Sequence, residues 1–417
     1  MKQAERRLLV ALLVAALLVF TSVYHSALAI DTYWDHNPSS SASWHNAGNW
    51  SAGVPDSSKR VYVDNGGTAI IDGDAESGLL GIGIMATGRV EQIGGTHEVS
   101  VELFLDGVDG TYDLNSGNLI SPYEFIAMSN TGVFNQIGGS HAITGGLNFG
   151  HGIGSKGTYN LVLGDLTAGY EVLGYNDGAG EINQTGGVND AGALILGVNL
   201  GSKGTYNLHD GQLITQYQNI GDFSGVGEFS QFGGTNSIAT NLCLGRLTGS
   251  SGSYTLSGGR LSAGNEYIGS QGNSGAPGTF AQFAGLNAVD GTLTIGGASE
   301  GTYNFWGGAL SAEFLDVNNG YLNIDVSGID YFRVFGDKVA PLNEYIASGR
   351  IYDNTSSPDN HLLAVYDPTN DWTTLQVVPE PGTIALIAPA VLGFAGVVWR
   401  RRLRTLRMTV IQEEREI

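Results

Sequence analysis

The chain is 417 residues long, with formal net charge −21, 64 glycines and a single cysteine. Its acidity is concentrated in residues 31–379, where 10 basic side chains face 35 acidic ones, net −25; such a surface repels DNA, RNA and anionic lipid and excludes nucleic acid as a partner. Cys243, being alone, excludes an internal disulfide and a cysteine-based metal or redox site, while the regular apolar patterning excludes a disordered chain.

Residues 1–29 read as a signal peptide. Lys2, Arg6 and Arg7 precede an uninterrupted apolar run from Leu8 to Phe20, and Ala27-Leu28-Ala29 supplies small residues at the cleavage site. The apolar run is shorter than the roughly 20 residues of a membrane span, so cleavage after Ala29 is expected over an uncleaved anchor. Secretion machinery and signal peptidase are the partners this implies.

Residues 30–65 carry Trp34, Trp44 and Trp50, three of the six tryptophans. A stack of β-strands needs its open edge covered, so this segment is expected to be a cap. Exposed tryptophans would instead suit a carbohydrate-binding module.

The body, 66–328, is repetitive. Gly-Thr-Tyr-x-Leu recurs from Gly110, Gly157 and Gly204, and a second series beginning at Gly88, Gly132, Gly180, Gly227 and Gly278 ends on Gln. Each series has a period near 47 residues. Aligned together they share one octapeptide, Gly-x-[aromatic or aliphatic]-x-[Leu or Gln]-x-x-Gly, every 22 to 26 residues, with Gly66 to Gly73 as a degenerate earlier copy. Positions three and five share one strand face, and position four (Glu91, Asp113, Asn135, Asn160, Asn183, Asn207) points outward. A second apolar run, such as Leu103-Phe104-Leu105, completes each unit. Two or three short strands in about 23 residues make one coil of a right-handed parallel β-helix, all-β, with about eleven coils stacked at about 4.8 Å. A five-bladed β-propeller is the alternative, but it leaves the doubled octapeptide unexplained. Residues 329–377 lose the octapeptide, become rich in β-branched and aromatic residues, and read as a C-terminal β cap.

Residues 378–407 form a tripartite tail: Val378-Pro379-Glu380-Pro381-Gly382-Thr383, an apolar segment over 384–399, and Arg400, Arg401, Arg402, Arg404 and Arg407. The arginines act as a stop-transfer signal that holds this end in the cytoplasm and leaves the body outside. These three parts, in this order, resemble the PEP-CTERM sorting domain. The resemblance implies recognition at Pro379, Glu380 and Pro381 by a membrane-embedded exosortase, removal of the tail during export, and an association with exopolysaccharide or biofilm. Tails of that family stop soon after the arginines, whereas 408–417 continue as a cytoplasmic extension. A permanent C-terminal transmembrane helix is the simpler alternative. The expected location is the inner membrane before processing, then the cell surface or the extracellular space.

No cofactor is expected. His97 and His141 share one repeat position with Asn189, Asn236 and Asn287, the mark of a hydrogen-bonding ladder at a turn. Glu124, Glu171, Glu266 and Glu313, with Gln218, read as a second ladder. Members on alternate coils lie about 10 Å apart, too far to share a cation and barely within reach of a glycosidase pair. Asp72 with Asp74, and Asp106 with Asp109, are the weak metal candidates, read as solvated turns. The expectation is a non-enzymatic cell-envelope or matrix protein; a β-helical polysaccharide lyase or glycosidase is the enzymatic alternative.

Overall fold

The structure, a computed structural model, describes residues 30–377 apart from 38–39, 270–275, 326–328 and 354–361. The leader cleavage residues Ala27 and Ala29, the Pro379-Glu380-Pro381 motif, the 384–399 segment and Arg400–Arg402 lie outside the described residues. Among the described residues no helix is long and apolar enough to cross a membrane.

The octapeptides form short strands such as Thr131–Gln136 and Lys156–Leu161, and longer strands such as Ser140–Phe149 and Asp165–Tyr175 follow them. Short strands pair only with short strands of neighbouring coils and long with long, in parallel, giving sheets of 14 and 16 strands. The result is a β-solenoid of about twelve turns. Among the described strands, the antiparallel pairing that a propeller's blades require occurs only between the last ones, Ile329–Phe335, Trp372–Val377 and Leu362–Asp367.

The first coil explains the higher count. Ile30–Tyr33 pairs in parallel with Lys59–Val63, and Ser41–Ser43 with Thr68–Ile71, so the tryptophan segment is itself a coil. Trp34, Trp44 and Trp50 are at most 5% exposed. Their rings pack edge-on at 4.9 and 4.7 Å, and Trp50 Nε1 donates to the Trp44 carbonyl. They close the end of the core and offer no exposed sugar platform.

Each coil turns at a glycine of positive φ. Gly139, the last residue of its octapeptide, has φ +76°, a conformation that costs an L-residue roughly 1–2 kcal/mol. The opposite corner, after the long strand, uses Gly150 (φ +57°) and its glycine equivalents in most coils; Ala127 (φ 65°) adopts the same conformation with a Cβ, and Asp106 and Asn318 take the corner in their coils.

Position three of the octapeptide builds an interior aromatic stack. Tyr112, Phe134 and Tyr159 lie 5.1 and 4.7 Å apart and within 4° of parallel, and Tyr206, Phe229, Tyr254, Phe280 and Tyr303 repeat the arrangement. Position four faces outward as expected and forms an amide ladder. Asn135 donates to Asp113, Asn160 to Asn135, Asn183 to Asn160 and Asn207 to Asn183, at 2.7 to 3.1 Å.

Among the described residues the C-terminal end carries an α-helix, beside the short 3-10 turn Ala47–Asn49 of the first coil. Helix Val339–Ala347 buries Leu342 against the last coils, and its Pro341 sits in the first turn, where no intrahelical N–H is required.

Candidate functional site

The chemistry-bearing residues of the repeats converge inside the solenoid. On the long strands one register column reads His97, Leu119, His141, Leu166, Asn189, Leu213, Asn236, Leu261, Asn287. A second reads Leu103, Glu124, Leu147, Glu171, Leu194, Gln218, Leu242, Glu266, Leu293. Polar residues alternate with leucines along each column, the two columns are out of step so that each long strand carries one of each, and every polar member is fully buried.

These members form one cluster every two coils. Tyr159 donates to Gln136 Oε1 (2.6 Å), His141 Nδ1 meets the Tyr159 hydroxyl (2.8 Å), and His141 Nε2 meets Glu124 Oε1 (2.8 Å). Because the Tyr159 proton is committed to Gln136, Nδ1 must be the donor to the hydroxyl. A single proton then lies between Nε2 and Glu124. Glu124 also accepts from Ser121 Oγ at 2.7 Å. Serine, histidine and glutamate together suggest acyl transfer, but here the serine donates to the carboxylate, away from the imidazole, and no member reaches solvent.

The other clusters vary on this plan. Asn189 Nδ2 donates to Glu171 Oε2 (3.2 Å) and to the Tyr206 hydroxyl (3.1 Å), which donates to Gln184. Asn287 joins Glu266 and Tyr303 in the same way. In the Gln218–Asn236 cluster two amides bond reciprocally, at 2.8 and 3.2 Å. His97 bridges Ser77 and Tyr112, each at 3.1 Å.

Burial dominates the electrostatics. It raises Glu171 and Glu266 to about 7, against a smaller downward pull from the bonded asparagines. It lowers His97 to about 3 and raises the Cys243 thiol to about 12, leaving that thiol inert. Glu171 Oε1 and Asn189 Oδ1 both lack a partner when the carboxyl is ionised, as do Glu266 Oε1 and Asn287 Oδ1. A carboxyl proton supplies the missing donor and reproduces the reciprocal pair of Gln218 and Asn236.

Two sequence expectations need correction. The histidine–asparagine series is a ladder, but it lies in the core and not at a turn. Glu313 does not belong with Glu124, Glu171 and Glu266: Leu293 pairs with Leu315, and Glu313 is exposed outside that column. The three true members face the interior, so they offer no cleft-facing carboxyl pair for glycoside hydrolysis.

The acidic turn residues are occupied by protein donors. Asp106 accepts the Ser129 and Asn130 amides, Asp109 the Thr131 hydroxyl and Asp74 the Thr96 amide. Asp72 lies 3.5 Å from His45 Nε2. Among the described residues no group of three potential metal ligands converges.

One outward feature stands apart. Tyr123, Tyr170 and Tyr217 occupy one column of the long-strand sheet on every second coil, with Gly146, Ala193 and Asn241 between and after them. No family model, curated protein or solved structure matches the chain.

Proposed function

We propose that the chain is an exported, non-enzymatic cell-envelope or extracellular-matrix protein, wound right-handed as parallel crossovers are. It is sorted through the Pro379-Glu380-Pro381 motif, the 384–399 segment and the arginines, and is associated with exopolysaccharide. The observation that carries this reading is the fate of its reactive side-chain types. Glu124, Glu171, Glu266, His97, His141 and the stacked tyrosines of octapeptide position three are spent on internal clusters that recur every two coils and are fully buried. A catalytic centre is a singular place on a fold, whereas a recurring buried cluster serves the stacking of a rod. Twelve coils at about 4.8 Å give a rod on the order of 60 Å, a length suited to display beyond a membrane.

The test is the intact mass of the native protein recovered from outside the inner membrane. A chain beginning at Ile30 and ending near Pro379 is expected. Retention of Arg400–Arg402 in the recovered protein refutes tail removal and leaves a permanent anchor, and recovery from the cytoplasm refutes export.

A further inference from the structure

The tyrosine column is built differently from the rest of the outer surface. Tyr170 lies flat over Gly146: a side chain at that glycine would collide with the Tyr170 ring. Tyr123, from the opposite side, covers Gly145 in the same way. The two rings therefore roof a diglycine between them. Tyr217 follows two coils on, 37% exposed, and Ala193 between it and Tyr170 is nearly fully covered.

The column two residues along carries Phe125, Asn148, Val172, Ile195, Asn219 and Cys243. Asn148 is buried there, its Nδ2 donating to the Glu124 and Gly146 carbonyls at 3.4 and 3.5 Å. Phe125 and Tyr175 extend the aromatic surface through His151, whose ring meets Phe125 edge-on at 5.9 Å and Tyr175 face-on at 4.7 Å. From Tyr123 to Cys243 neither column contains a charged residue, on a body of net −25. Asp222, at the strand end in register with Val198, is neutralised by Arg246 at 2.7 Å.

We propose that the Tyr123–Tyr170–Tyr217 face binds an uncharged glycan chain lying along the solenoid axis. Flat rings held on glycine offer the apolar faces of sugar rings a stacking surface, and the half-buried Asn241 after Tyr217 supplies a neutral amide for hydroxyls. An anionic polysaccharide meets the repulsion of the body. A basic peptide finds no exposed carboxylate in this stretch of the columns, and Glu102, in register with Tyr123 on the coil before, is buried. Tyrosines recurring at two coils, about 9.6 Å, suit a polymer with its own regular repeat. This inference rests on the exported, glycan-associated reading above.

The experiment measures binding of the purified exported protein to soluble neutral glycans (cellohexaose, laminarihexaose, mannohexaose and dextran) by calorimetry and affinity electrophoresis, with alginate and oligolysine as charged probes. Binding to a neutral glycan is expected, with Y123A/Y170A/Y217A weaker by at least about tenfold. Y170F keeps the ring and should bind as the natural protein does, and Y321A, on the other sheet, serves as the unaffected control. Because Tyr217 is the most exposed of the three, Y217A alone keeps the test valid should the triple variant unfold; it should weaken binding several-fold with an unchanged circular dichroism spectrum. No binding to any neutral glycan, equal binding by Y217A, or binding only to alginate or oligolysine overturns the proposal. Failure here by a correctly exported protein removes the glycan face alone. Failure of export removes the proposed function and leaves the binding result standing.

Discussion

Replacing both Glu171 and Glu266 by glutamine should abolish a large part of the fall in stability toward alkaline pH. Each carboxyl has an ordinary value of 4.5 and is raised by burial to about 7 in the folded chain. Between those limits the folded state holds a proton that the unfolded state has released, so stability falls as pH rises through the interval. At about 1.4 kcal/mol per pH unit, each carboxyl costs about 3 kcal/mol by pH 8. The two lie four coils apart with no shared partner, so their effects add to about 6 kcal/mol. Glutamine is already present in this column at Gln218, where it bonds Asn236 reciprocally. E171Q/E266Q should therefore pack without a new cavity.

Urea unfolding followed by circular dichroism, from pH 4.5 to pH 8.5, measures the effect. The natural protein and E171Q/E266Q should have similar midpoints at pH 4.5, where both carboxyls are protonated. They should diverge steadily above it, with the variant more stable at pH 8. Each single variant should recover half of the difference. Taking the difference between proteins cancels the contribution of all other titrating groups. Parallel curves across the whole range would show that the carboxyls do not ionise inside the core, and would refute the reasoning.

His97 works in the opposite direction. Burial lowers it to about 3 from an ordinary 6.5, so the unfolded chain takes up the proton first and stability is lost as pH falls below 6.5, by about 2 kcal/mol at pH 5. H97N, the residue of three later copies, should flatten this acid limb in thermal unfolding at pH 7 and pH 5. It should also lower stability at neutral pH, because the ring's edge contact with Trp44 at 5.1 Å is lost. For the Glu124–His141 pair, a double-mutant cycle in urea should show strong coupling. E124Q/H141N converts the pair into the amide pair of Gln218 and Asn236, and should be more stable than the two single effects sum to, by about 1–3 kcal/mol.

Much of the rod is legible in the sequence, because glycine, alternation and a fixed spacing are local signals. The octapeptide marks the short strands, and its last glycine marks the turn that follows them. Position four is readable as outward because amide side chains seldom recur at a core position without partners. The glutamates read as a structural ladder, but strict alternation along the strand would turn them outward. What overturns that orientation is parity. The long strands shift register between Ile143 and Gly146 and at equivalent points, and such an irregularity reverses which residues face inward. Counting by twos from Leu119 or Leu166 therefore misplaces every residue beyond the irregularity, Glu124 and Glu171 included. Glu313 was misaligned by the same two-residue ambiguity. The helix Val339–Ala347 escaped because a nine-residue segment without a side-chain N-cap leaves little periodic signal. The tyrosine face escaped because its glycines resemble the turn glycines that surround them.

The two periods in the sequence have separate physical causes. A coil takes about 23 residues, because that length closes one circuit through both sheets. The chemical repeat takes about 47, because a tyrosine needs a glutamine and a histidine or asparagine from the coil before it, and those need a glutamate or glutamine from the coil before that. Leucine fills the same columns on the intervening coils. Suppose a misfolding chain stacked one coil out of order. Leucine would then meet leucine at one layer, while tyrosine, amide and carboxyl groups would be buried without partners at the next. Each orphaned group costs roughly 1–3 kcal/mol, and every cluster loses several together. A uniform apolar interior would stack equally well in any order. The alternation therefore specifies coil order in a fold whose neighbouring strands otherwise look alike, and the ionisable carboxyls of Glu171 and Glu266 make that specification sensitive to pH.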